Sequence, residues 1–151
     1  MILPQVLGVD PSVNGGMALL DQRGNPVFVQ KFDPTWTVQE LVENVRIAVD
    51  HLDLRDHDFC CMEKVQYIRG DGGKGAFTFG RITGLLEGTL WTLNARPVMI
   101  PPMLWQSALG CLSGGNKNIK KARELFPVVK LTHAVADALL IAYYGQRKAL
   151  G

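Results

Sequence analysis

Three acids stand where apolar segments would be expected to continue. Asp10 closes the run Val6-Leu7-Gly8-Val9, Glu63 closes Phe59-Cys60-Cys61-Met62, and Asp137 interrupts an alanine-rich stretch over residues 134–142. Apolar runs of this length, bounded by turn residues, read as buried strands, and the longer alanine-rich stretch reads as a helix. Each acid is therefore tied to a core element. A half-buried carboxylate is disfavoured by desolvation unless a cation compensates it, and three that converge also repel one another. At about 4 Å and an effective dielectric near 20, one such pair costs roughly 4 kcal/mol. A bound divalent cation removes the conflict, so the pattern points to a metal-dependent active site. Taken singly, each acid has an ordinary alternative as a turn former or helix N-cap. Two strand-end acids with a third inside a late helix have few structural uses.

The order of elements gives these acids a geometry. Residues 5–9 read as a strand, Pro11, Asn14, Gly15 and Gly16 as a turn, and residues 17–20 and 27–32 as two more strands joined at Arg23-Gly24-Asn25-Pro26, an antiparallel meander. Over residues 37–51, Val38, Leu41, Val42, Val45, Ala48 and Val49 recur at helical spacing, and Thr37 with Glu40 fits a capping box. A short buried strand follows at 59–62, then a helix at 77–93, a strand at 97–100, short helices at 102–109 and 119–126, and a last helix at 133–148. Three strands followed by alternating helices and strands imply an α/β fold, a five-stranded mixed sheet covered on both faces. With the first strand central and the fourth beside it, Asp10 and Glu63 emerge as neighbours at one end of the sheet. The last helix can then bring Asp137 across, and Ala134, Ala136 and Ala138 allow it to approach closely. His133, four residues before Asp137, shares its helix face. It is a candidate metal ligand, water-orienting base or phosphate partner, or alternatively a first-turn residue behind a Thr132 cap with no chemical role.

At 151 residues, with 47% hydrophobic and 20% charged content, the chain is expected to form one domain with a real core. No apolar run is long enough to span a bilayer, and residues 1–4 lack the basic start of a secretory signal, so a cytoplasmic protein with no membrane partner is expected. Three cysteines without CxxC spacing argue against a disulfide framework or a zinc site. Cys60 and Cys61 read as small core hydrophobes.

Charge is divided unevenly along the chain. Residues 1–63 carry a net −6 and residues 64–151 a net +8, which makes the second half a candidate for binding a polyanion. Lys117, Lys120, Lys121, Arg123 and Lys130 form its densest group, with Lys64, Arg69, Lys74 and Arg81 upstream; a solvated helix face is the plainer alternative. Residues 67–75 combine Tyr67, Arg69, Lys74 and four glycines, as expected of a mobile loop that follows a distorted backbone and stacks on an unpaired base, or of an ordinary surface loop. The segment lacks the spacing of a Walker motif. Gly80, Gly84 and Gly88 make a smooth stripe on the following helix, either a dimer seam or a surface that packs on the chain's own sheet.

The pieces Gly8-Val9-Asp10-Pro11-Ser12, Met62-Glu63-Lys64-Val65, Gly80-Arg81-Ile82-Thr83-Gly84 and Ala136-Asp137-Ala138-Leu139-Leu140-Ile141-Ala142, in this order and spacing, resemble RuvC-type Holliday junction resolvases over nearly the whole chain. Residues 105–127, with Leu109-Gly110, Gly114-Gly115, Lys117 and Glu124-Leu125-Phe126-Pro127, look more like the resolvase-like proteins of bacteriophages and prophages than the cellular enzyme. The resemblance implies an RNase H-like fold, a homodimer, and Mg²⁺-dependent nicking of branched DNA, four-way junctions above all, in recombination, repair or phage DNA processing. Asp10, Glu63 and Asp137 match the family's catalytic, metal-binding acids. Many relatives carry a fourth acid three residues before the last; here that position is Ala134, with His133 one place further back.

Phosphodiester hydrolysis on this pattern calls for two Mg²⁺ ions, replaceable by Mn²⁺, since hard oxygen ligands favour these over zinc. Asp10 is expected to bridge the ions, Glu63 and Asp137 to hold one each, and His133 to stand near the attacking water. Tyr67, Arg69, Lys74, Arg81, Lys117, Lys120 and Lys121 are the expected DNA contacts. Competing readings are another RNase H-like nuclease acting on RNA–DNA hybrids or DNA ends, and a branched-DNA binding protein without catalysis. A kinase fragment beginning at Gly8-Val9-Asp10 is disfavoured by length.

Overall fold

In the computed structural model, which describes residues 2–54, 58–64 and 72–148, the apolar runs form the middle of a five-stranded sheet. Its strands are β1 (Val6–Asp10), β2 (Gly16–Leu20), β3 (Pro26–Lys31), β4 (Phe59–Glu63) and β5 (Pro97–Ile100), in the order β3-β2-β1-β4-β5. The meander pairs β1 with β2 and β2 with β3 antiparallel, while β4 lies parallel to both β1 and β5. β1 and β2 are buried throughout and read as continuous apolar runs, whereas β3 on the edge alternates between half-buried and exposed.

Five helices cover the sheet: α1 (Val38–Asp50), α2 (Gly73–Thr92), α3 (Pro102–Ala108), α4 (Asn116–Leu125) and α5 (His133–Lys148). The period of two along the strands sorts side chains into two cores. Leu7, Val9, Met17, Leu19, Cys60 and Met62 pack with α1 and α2, and Val6, Ala18, Leu20 and Cys61 with α5 and the α3–α4 segment. All three cysteines are buried and free, and burial pushes the Cys61 thiol up to about 12, so they act as small hydrophobes. Thr37 and Glu40 form the expected reciprocal capping box at the start of α1.

Two helix boundaries need correction, and one alternative for the glycine stripe falls away. α2 begins at Gly73 rather than residue 77, so Lys74 and Gly75 belong to a helix and not to a loop. Glycine is a poor helix former, by about 1 kcal/mol relative to alanine, which hid this first turn in the sequence; Ala76 N–H closes it on Gly72 O at 2.9 Å. The Gly80-Gly84-Gly88 stripe does not pack on the chain's own sheet, because a Cβ at any of the three would meet nothing within 4 Å. α4 also starts three residues earlier than expected, at Asn116. Among the described residues no helix is long and apolar enough to cross a membrane.

Candidate active site

The register of β1 and β4 brings the first two acids together. Val9 pairs with Met62, so Asp10 and Glu63 follow side by side at the ends of parallel neighbours. Alternation sends both toward the α5 face, because Gly8 lies under α5 and Cys61 against Gly145. At Gly8 a side chain would collide with the backbone of Ala138 and Ala142. Glycine there lets α5 lie on β1, which carries Asp137 to the other two acids. Ala134, Ala136 and Ala138 are all buried, and Ala138 lies directly over Gly8.

The three carboxylates feel one another. Asp10 is only 8% exposed. Burial, then Asp137, then Glu63 push its carboxyl up to about 7, against a weaker opposing hydrogen bond from Ser12 N–H at 3.3 Å. Burial raises Glu63 first and Asp137 adds to it. Asp137 is likewise raised by burial, while Asn118 and the nearby His133 act in the opposite direction. Among the described residues no lysine or arginine pairs with these acids.

Two neutral donors hold them instead. Trp105, fully buried on α3, donates its indole Nε1–H to Glu63 Oε2 at 2.9 Å. Asn118, buried on α4, donates Nδ2–H to Asp137 Oδ1 at 2.9 Å. Neither residue was singled out in the sequence for this role. The available signal was an asparagine four residues before Ala122 on the buried stripe of an otherwise basic helix.

His133 is the first residue of α5, exposed beside Asp137, and Thr132 Oγ1 accepts Val135 N–H at 3.3 Å as the expected cap. Lys117 and Lys120 are exposed on α4, and Lys117 Nζ reaches Leu112 O at 3.2 Å. Lys121 is partly buried and pairs with Glu124 at 3.5 Å. Arg81 is exposed on the other side of the sheet, where it lines a cavity of about 220 Å³ with Ser12, Phe32, Trp36 and Ile82. Lys74 borders a second hollow with Val13, Thr78 and Phe79. Tyr67 and Arg69 lie outside the described residues.

The donor set suits a hard divalent cation: three carboxylates whose ionisation is disfavoured without one, each oxygen-only. Among the described residues, no three His, Cys, Asp or Glu side chains are gathered as ligands of a single ion.

No protein-family model matches the sequence, and no curated protein matches it. Solved structures do. RuvC of Thermus thermophilus in complex with a Holliday junction substrate is 18% identical, with 97% of each chain covered and a TM-score of 0.68. A second Thermus thermophilus RuvC structure gives 19% identity, 96% and 97% coverage and a TM-score of 0.64. The yeast mitochondrial Holliday junction resolvase Ydc2 is 14% identical, with 99% of this chain and 81% of that one covered and a TM-score of 0.54. At these identities the likeness establishes the fold, the RNase H-like arrangement expected from the sequence.

Proposed function

We propose that this protein is a metal-dependent endonuclease that resolves Holliday junctions by hydrolysing phosphodiester bonds in branched DNA. The observation that carries the reading is the convergence of Asp10, Glu63 and Asp137 from β1, β4 and α5 without a compensating lysine or arginine among the described residues. A structural cluster of this kind is destabilising, whereas a nuclease needs it. The RuvC fold, seen with a Holliday junction in the Thermus thermophilus protein, supports four-way junctions as the substrate class.

Asp10, whose carboxyl is raised by both other acids, would hold the metal together with Glu63 and Asp137. Mg²⁺ or Mn²⁺, when bound there, polarises the phosphodiester and lowers the pKa of water to supply the nucleophile. His133 stands exposed on the same helix face as Asp137 and would orient the water or the phosphate. Lys117 and Lys120, exposed on the helix that holds Asp137 through Asn118, would grip the backbone of a DNA arm. Two copies, with the open Gly80-Gly84-Gly88 stripe as part of the seam, would present two such sites for the paired nicks a junction requires.

The test is a panel of labelled four-way, forked, flapped and linear DNAs incubated with Mg²⁺. Junction cleavage that chelator abolishes, and that Asp10→Asn lacks while still binding the junction, is the expected result. A chain that binds junctions but never cuts them under any divalent ion would instead be the non-catalytic binder.

A further inference from the structure

We propose that Trp105 and Asn118 are the positioning residues of this metal centre, a pair of neutral donors that fix one oxygen of Glu63 and one of Asp137 and leave the other oxygen of each to the cations. The inference rests on the metal-site reading above. It goes further in assigning the carboxylate geometry to two helices, α3 and α4, that carry none of the acids.

The chemistry of the donors is the first argument. An arginine or lysine would hold the same oxygens more strongly, but its charge would also neutralise the site and compete with the ion. An indole N–H and an amide N–H restrict the carboxylate rotamers without cancelling the negative charge that binds a metal. Both bonds are 2.9 Å and both donors are buried, so neither is traded easily for water.

The second argument is that Asn118 is poorly explained by stability. Its Oδ1 is buried with no hydrogen-bond partner among the described residues. An unsatisfied buried acceptor is destabilising, and a position chosen only for packing against Ala122 and α5 would favour an aliphatic side chain.

The third argument is the connection between the two donors. Gly110, Ser113, Gly114 and Gly115 all take positive φ, conformations that L side chains rarely adopt. This sharply turned segment folds α4 back so that Trp105 and Asn118 reach the same pair of acids from separate helices.

Mn²⁺ binding to the wild type, Trp105→Phe, Asn118→Leu and Asp10→Asn, followed by electron paramagnetic resonance of the free ion, tests the proposal without reference to cleavage. Both substitutions remove the N–H donor and leave an apolar side chain in its place, and thermal melts check that the variants are folded. The expected result is an affinity about 10- to 100-fold weaker for each, with folding intact; a merely structural residue would move the melt and not the affinity. Affinities within twofold of wild type, while Asp10→Asn abolishes binding, overturn the positioning role and leave the metal site standing. Binding by Asp10→Asn equal to wild type overturns both. Should a variant fail to fold, the wild type itself decides. Titrating Mg²⁺ should shift the indole N–H resonance of Trp105 and leave those of Trp36 and Trp91 in place, and an unmoved Trp105 signal at saturation refutes the proposal.

Discussion

The two faces of the sheet are built to different rules. On the α1–α2 side the buried core contains no charged or amide side chain among the described residues: Leu7, Val9, Leu86 and Leu90 meet with nothing polar between them. On the α5 side lie Asp10, Asn118 and Gln146, the three polar or charged side chains buried among the described residues. Gln146 has a structural role, since its Nε2 donates to Pro4 O and Asp21 O and ties the end of α5 to the meander, although its Oε1, like Asn118 Oδ1, is buried without a partner among the described residues. Asp10 and Asn118 belong instead to the acid cluster, Asp10 through its coupling to Asp137 and Glu63 and Asn118 through its bond to Asp137. The contrast teaches that both faces bury an apolar core, while only the α5 face also accommodates a charged site, at a cost in stability.

If that division is real, removing the charge at Asp10 should stabilise the protein while ending its chemistry. The carboxyl ionises near pH 7 in the fold against 3.8 for the ordinary group. A raised folded value means that the protonated form contributes stability below pH 3.8, and that this contribution is lost as pH rises through about 7. The metal-free wild type should therefore weaken relative to Asp10→Asn across that window. The gap above pH 7 has an upper bound of roughly 4 kcal/mol, and it should close again when Mg²⁺ is added. Chelator-treated melts at pH 5 and pH 8 measure it. A mutant that is less stable than wild type at pH 8 would mean that Asp10 serves the fold.

The converse change belongs on the α1–α2 side. Leu90 is fully buried between α2 and the sheet, and Leu90→Ala should cost about 2–5 kcal/mol in denaturant unfolding. Below its melting temperature the variant should bind Mn²⁺ and cleave as wild type does. Loss of metal affinity in the folded variant would show that the two faces are not separable.

Much of this division is legible in the sequence. A charge that ends an apolar run contradicts its own segment, which is why Asp10, Glu63 and Asp137 stand out and why the order of strands could place them together. Trp105 and Asn118 were not legible in the same way. A tryptophan in a short helix and an asparagine among lysines contradict nothing locally, and their partners lie 42 and 19 residues away. Only the packing of α3 and α4 on α5 reveals what they touch. The first turn of α2 was obscured for a different reason, because Gly73 and Gly75 carry a loop's propensity within a helix.

A smaller effect is expected at His133, which borders the site without being buried in it. With Thr132 already capping α5, the imidazole is not needed to start the helix, so His133→Ala should leave the melt unchanged. Single-turnover cleavage should slow by about tenfold or more. An unaltered rate would return His133 to the solvent-facing surface of the helix.

The smallest effects concern α4, where three lysines that look equivalent in the sequence differ in their surroundings. Lys117 and Lys120 are exposed, whereas Lys121 already pairs with Glu124 at 3.5 Å. A lysine that neutralises a phosphate releases a counterion and adds about 0.9 to the slope of log K against log salt on duplex DNA. Lys117→Ala and Lys120→Ala should each flatten that slope by about one contact, for branched and linear DNA alike, since backbone contacts position a duplex without identifying a branch. Lys121→Ala should change it least, because the new charge imbalance is that of an exposed Glu124 rather than of a lost phosphate contact. Competition binding at several salt concentrations separates the three. A slope that falls equally for all of them would show that the Lys121–Glu124 pair opens on DNA and that α4 presents its whole basic face.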